Sequence, residues 1–300
     1  MSDVVVVDEI SDEDVDEVLA LVDEAARKDG QAAVSEQGRL RLRGGRQGVR
    51  HLLVREGGRL AGYAQLDGTD PVEAPVAELV VGPAFRGRGY GRKLTRALLD
   101  TSGQRLRIWA HGGHPAARHL AQSVGLKLFR ELRQLRRPLA PEGTSDLPEP
   151  AIPEGVTIRA FEPGADDAAW LALNATAFAD HPEQGSLTQR DLDERKGEPW
   201  FDPAGFFLAE REGELVGFHW TKVHPQEGLG EVYVLGVGPN QQGGGLGRAL
   251  TAVGLRHLER DRRLPTAMLY VDADNGPAVA VYERLGFRTY ETDLMYRTEN

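Results

Sequence analysis

Two short glycine-rich runs hold the residue types and spacing that could do chemistry in this 300-residue sequence. Arg86, Gly87, Arg88, Gly89, Tyr90 and Gly91, with Arg92 after them, and Gln242, Gly243, Gly244, Gly245, Leu246 and Gly247, with Gln241 before and Arg248 after, each fit Arg/Gln-x-x-Gly-x-Gly. Each run follows a β-rich stretch and precedes an amphipathic helix. Glycines allow close backbone approach to a phosphate, and unpaired N–H groups at a helix N-terminus supply donors and the positive end of the dipole. The pattern predicts a pyrophosphate cradle. No Gly-Lys-Ser/Thr follows, and neither run completes the dinucleotide G-x-G-x-x-G. A plain glycine turn is the competing reading for one copy; two copies in one context weigh against it.

The elements that must position these runs also occur twice. Residues 54–63 match 209–218, a strand, a Gly turn and a second strand, the pattern of a hairpin. Residues 79–91 align with 235–247, and 114–126 parallel 275–287 with one residue of slippage. A period near 155 to 162 residues fits a duplicated domain, not a solenoid. Five prolines between 137 and 155 mark a semi-rigid linker. The expected division is a first domain over 1–139, a linker over 140–154 and a second domain over 155–300. Each half reads as strand, helical material, hairpin, a strand ending at the glycine run, helix, strand, helix stopped by Gly125 or Gly286, and a last strand. The fold class is therefore α/β (α+β): two tandem domains, each a central mixed β-sheet flanked by helices.

Composition narrows the chemistry. The chain has no cysteine, which excludes disulfides, thiolate metal sites and a cysteine nucleophile, and no metal is expected. Its net charge of -10 makes it a poor binder of nucleic acid. Up to residue 140 there are 22 basic and 19 acidic residues, and after it 14 and 27, so a cationic group suits the second half better. No apolar run approaches the roughly 20 residues of a membrane span, and the acidic start lacks the marks of a secretory signal. A cytoplasmic protein without membrane partners, and a monomer, are the expectations.

The strand, the Gln/Arg-x-x-Gly-x-Gly run, the helix and then Asn275-x-x-Ala278-x-x-x-Tyr282-x-x-x-Gly286-Phe287 resemble the GNAT superfamily of acetyl-CoA-dependent N-acetyltransferases across nearly the whole chain, as a tandem pair. The resemblance implies that backbone groups of Leu235, Gly236 and Val237 meet pantetheine and the thioester carbonyl. It further implies that 241–248 hold the pyrophosphate, with Asn275 and Phe287 in cofactor contact, and that Tyr282 protonates the departing thiolate. Amine attack on a thioester needs a deprotonated amine, an oxyanion donor and an acid for sulfur, and needs no enzyme nucleophile. Glu231, four residues before Leu235 and so expected on the same strand face, is the candidate base; a strand-end surface glutamate is the alternative. In the first half, Leu79, Val80, Val81 and the run from Arg86 to Arg92 keep a cradle for acetyl-CoA, but Ala121 stands in place of Tyr282 and His114 in place of Asn275. Chemistry is therefore expected in the second domain.

Residues 178–185 and 198–205, with 25–42 in the first half, resemble a tandem branch of the superfamily that acetylates the cysteinyl amine of a glucosaminyl-inositol. That resemblance makes the acceptor a small amine-thiol glycoside and assigns Glu36, Glu183, Lys222, Glu231 and Tyr282 to its binding. Two other readings stand beside it: a tandem acetyltransferase of another small primary amine, and a non-catalytic acetyl-CoA-binding sensor.

Overall fold

The computed structural model describes residues 3–43, 47–70, 72–140, 144–179 and 182–299, with the side chains of Pro182 and Glu183 outside that description. Local chemistry sets the element ends. At the first helix the Ser11 hydroxyl accepts from the Asp14 N–H, Asp12, Glu13 and Asp14 face the positive end of the dipole, and left-handed Gly30 closes the helix by donating to the Ala26 carbonyl.

In chain order the first half contains β1 (Val4–Val7), α1 (Asp12–Asp29), α2 (Glu36–Leu40), β2 (Val49–Glu56), β3 (Arg59–Asp67), β4 (Val76–Val81), α3 (Tyr90–Thr101), β5 (Arg107–Ala110), α4 (Pro115–Ser123) and β6 (Lys127–Pro138). The second half contains β7 (Val156–Ala160), α5 (Asp167–Ala177), α6 (Pro182–Gly185), α7 (Gln189–Lys196), β8 (Phe206–Arg211), β9 (Glu214–His224), β10 (Leu229–Val237), α8 (Leu246–Arg256), β11 (Thr266–Asp272), α9 (Gly276–Arg284) and β12 (Arg288–Arg297). The mixed α/β architecture expected from the repeat is present in both halves.

The chain forms two compact units, one of residues 1–133, 272–274 and 291–300, the other of 134–271 and 275–290. The end of the chain thus completes the first unit, and 134–138 belong to the second. Side-chain packing explains this: Leu294 and Tyr296 enter the core around Leu94, Leu98 and Ile108, whereas Leu135 and Leu139 enter the core around Leu255, Leu258 and Phe287.

In the first unit the strand order is β1-β2-β3-β4-β5-β12, with β4 and β5 parallel and the other pairs antiparallel. In the second it is β7-β8-β9-β10-β11, continued by the end of β6, with β10 and β11 parallel. Each sheet buries both faces. In the second unit α8 and α9 cover one with Leu250, Leu255 and Val279, and the other carries an aromatic core of Trp170, Phe206, Phe218 and Trp220. Among the described residues no helix is long and apolar enough to cross a membrane.

Candidate active site

In both units the parallel pair separates partway along. β4 and β5 are in register only at Val76↔Arg107 and Ala77↔Ile108; β10 and β11 pair from Leu229↔Thr266 to Val232↔Leu269. Past Val232 the strand has β9 on one side and no parallel register on the other, so backbone groups of 233–237 are left for a ligand. The glycine run lies at the end of this opened strand. Gly243 and Gly245 have φ of 81° and 85°, and a Cβ at either would meet nothing within 4 Å. Left-handed Gly245 caps α8 without a side-chain cap hydrogen bond. The glycine run thus places the exposed N-terminus of α8 and its dipole at the end of the opened strand.

Gln242 Nε2 donates 3.4 Å to the Val237 carbonyl, and Arg211 holds the Gln241 amide at 2.5 Å, so these two side chains brace the turn. Leu246 is buried beneath it, and Arg248 is exposed on the first turn of α8. Asn275 is the N-cap of α9, accepting from Ala278 N–H at 3.2 Å. In the last turn of α9, Tyr282 packs with Leu235 and Ala278 against the buried cluster that contains Phe287, its ring edge-on to Phe287 at 5.8 Å. Phe287 is fully enclosed, so its side chain serves as the floor under Tyr282. Burial pushes the Tyr282 hydroxyl up to about 12.

Glu231 does not share a face with Leu235, contrary to the alternation expected. The register on β9 passes from Val232↔Thr221 to Val234↔Trp220, a β-bulge at Tyr233. Val232 and Leu235 consequently both pack toward α8, while Tyr233 and Val234 both join the aromatic face. Glu231 lies opposite Lys222. Both are buried, at 6% and 7% exposure. The Lys222 ammonium stands 4.4 Å from the Trp200 ring centre and 5.2 Å from that of Tyr233, and Arg195 Nε donates to the Tyr233 hydroxyl at 2.9 Å. His224 Nε2 lies 2.7 Å from a Glu231 carboxylate oxygen. The sequence reading missed Trp200, Tyr233, Arg195 and His224. His224 could have been found, since it stands two residues beyond Lys222 on one strand face.

The first unit keeps the shape of the opening and fills it differently. Gly87 and Gly89 have φ of 74° and 85° before α3. Arg86, however, is held by both Asp29 oxygens at 2.7 Å and by the Val81 carbonyl, Arg88 pairs with Glu56 at 2.8 Å, and Tyr90 is buried in the core. Val80 is buried toward α1, with Leu79 and Val81 on the opposite core. Gly91 and Arg92 lie in the first turn of α3. Ala121 is buried on α4, and His114 caps that helix as Asn275 caps α9. Where the parallel strands part, Glu78 and Asp293 enclose His111 at 2.8 and 3.1 Å, and Glu78 also accepts from Ser35 N–H and hydroxyl. Glu36 lies in the first turn of α2, next to Ser35. Thus Lys222, Glu231 and Tyr282 lie in the second unit and Glu36 in the first, while the side chain of Glu183 lies outside the described residues. Among the described residues no group of three His, Cys, Asp or Glu could hold a metal ion.

A split parallel pair, a bulged strand and a glycine-capped helix lie together here, and the chain belongs to the acetyltransferase (GNAT) family, whose profile matches residues 16–126 and again 170–287. It is a tandem member and an acetyl-CoA-dependent N-acetyltransferase. The chain is 76% identical to mycothiol acetyltransferase of Streptomyces avermitilis over 284 residues, 94% of this chain and 91% of the relative. It is 74% identical to the mycothiol acetyltransferase of Streptomyces coelicolor, over 97% and 94% of the two chains, and 57% identical to that of Thermobispora bispora, over 95% and 96%. Among solved structures, a tandem GNAT protein from the clavulanic acid biosynthesis pathway superposes with a TM-score of 0.75 at 19% identity, over 100% of this chain and 99% of the other, a likeness of fold.

Proposed function

We propose that this chain makes mycothiol by moving the acetyl group of acetyl-CoA to the cysteinyl amine of cysteinyl-glucosaminyl-inositol, releasing CoA. The observation that carries this reading is identity of 54–76% with mycothiol acetyltransferases across both halves of the chain. The second unit is the catalytic domain, and the first is a copy whose role is binding or structural. The enzyme acts in the cytoplasm as a monomer.

In the mechanism, acetyl-CoA supplies the thioester. The N–H groups of α8's first turn and of 243–245 receive the pyrophosphate, and the opened edge of Leu235, Gly236 and Val237 aligns pantetheine as another strand would. Glu231 takes the proton from the acceptor ammonium, directly or through water. The freed nitrogen attacks the carbonyl carbon, backbone N–H groups past the bulge stabilise the oxyanion, and the C–S bond breaks as Tyr282 donates to sulfur and recovers, through water, the proton that the attacking nitrogen sheds. Asn275 fixes the start of α9 and so the height of Tyr282. Lys222 and Glu183 bind the polyhydroxylated acceptor, and the Trp200 and Tyr233 rings, edge to face at 5.1 Å, line the site beside Lys222.

The test is mass-spectrometric detection of N-acetylated product from acetyl-CoA and the cysteinyl sugar, beside a panel of other small amines. Selective acetylation of the cysteinyl sugar is expected. Turnover of another amine in its place would remove the acceptor and keep the mechanism.

A further inference from the structure

A buried base must lose, in every cycle, the proton that it has gained. Glu231 is 8% exposed at its side chain, whereas the imidazole hydrogen-bonded to it at 2.7 Å, that of His224, is 27% exposed. His224 is the last residue of β9, and Pro225, Gln226 and Glu227 after it are exposed. One hydrogen bond therefore separates the enclosed carboxylate from a group at the solvent boundary. The strands place Lys222 on β9 and Glu231 and Tyr233 on β10 on this face, with Arg195 of α7 bonded to Tyr233. Met268, opposite Glu231 on β11, carries no charge.

We propose that His224 is a positioning residue that orients the Glu231 carboxylate and relays its proton to solvent. The proposal rests on Glu231 being the base. The acceptor ammonium gives its proton to the carboxylate, and the carboxylic acid passes it to Nε2 of a neutral imidazole that carries its own hydrogen on Nδ1. The imidazolium so formed returns one proton to water. Nothing is oxidised or reduced, and the site regains its charge. A histidine suits this role because its ring can accept a proton on one nitrogen and release one to water.

The test compares kcat against pH for the full-length wild type, His224→Gln and His224→Ala, with and without added imidazole, together with acetyl-CoA affinity. Glutamine keeps a donor to the carboxylate but takes up no proton, so a purely orienting role would leave His224→Gln near wild type. Both variants are expected to bind acetyl-CoA normally and to lose roughly tenfold or more in kcat near neutral pH. Imidazole should restore His224→Ala. A wild-type pH profile in either variant, or a loss in His224→Ala that imidazole leaves untouched, overturns the relay. If the wild type acetylates another amine from the panel and not the cysteinyl sugar, the acceptor reading fails, and the relay is judged by the same comparison on that amine.

Discussion

Replacing Tyr282 by phenylalanine removes one hydroxyl and keeps the ring that packs edge-on to Phe287 at 5.8 Å. The fold should hardly notice, with a stability change within about 0.5 kcal/mol. Catalysis should notice strongly. An ordinary tyrosine, with a pKa near 10, is about half ionised at pH 10; with burial pushing Tyr282 up to about 12, only about 1% is ionised there. The hydroxyl therefore stays protonated, ready to meet a departing thiolate, across the whole practical range. Loss of such an acid costs roughly 10²- to 10⁴-fold in kcat, with the acetyl-CoA dissociation constant unchanged because the backbone of the glycine run is untouched. Product formation followed by mass spectrometry from pH 6 to about 10.5 reads the rate, and a tyrosinate absorbance titration of wild type against variant reads the ionisation. Wild-type kcat in Tyr282→Phe would refute the acid assignment. So would a falling limb near pH 10 present in wild type and absent from the variant, since that marks a tyrosine of ordinary acidity.

His111→Leu should destabilise the first unit by about 3–5 kcal/mol in urea unfolding, because Glu78 and Asp293 would face each other uncompensated; an unchanged midpoint would contradict the buried-charge reading. Burial alone would lower the His111 pKa, but its bonds to Asp293 and Glu78 outweigh burial and raise it to about 10. The stability it contributes is therefore complete below about pH 6.5 and is lost as the pH rises through about 10. Wild-type melting temperature should fall across that window, and His111→Gln should lack that part of the fall. Gly254→Ala places a methyl group inside contact distance of the fully buried His219 ring and should cost roughly 1–3 kcal/mol; a melting temperature equal to wild type would show that the ring can move aside.

The repeat, the glycine runs and the helices after them were legible because each is written in local residue types: Gly where φ is positive at 87, 89, 243 and 245, and apolar periodicity in α3 and α8. The face on which Glu231 lies was not. Alternation along β10 predicts a common face with Leu235, and the bulge at Tyr233 has no signature in a run of apolar residues that suit either face. The destination of β12 was equally hidden. Its alternating Leu294 and Tyr296 announce a buried strand face but not which sheet receives it. Arg86 reads as a phosphate ligand by its place in the run, yet Asp29, 57 residues earlier, holds it. Charge pairing over such a separation is decided by tertiary structure alone.

The measurement that bears most directly on where the chemistry resides is the rate of acetyl transfer in two matched variants, Gly245→Ala and Gly89→Ala. Both glycines have φ of 85°, both have open space around a would-be Cβ, and both begin a helix. The local strain is thus equal, about 1–2 kcal/mol, or roughly tenfold where that backbone must meet a ligand. With catalysis in the second unit, Gly245→Ala lowers kcat/KM for acetyl-CoA by about tenfold or more and Gly89→Ala leaves the chemical step intact. Loss of turnover in Gly89→Ala with wild-type rates in Gly245→Ala, both proteins folded, would contradict it.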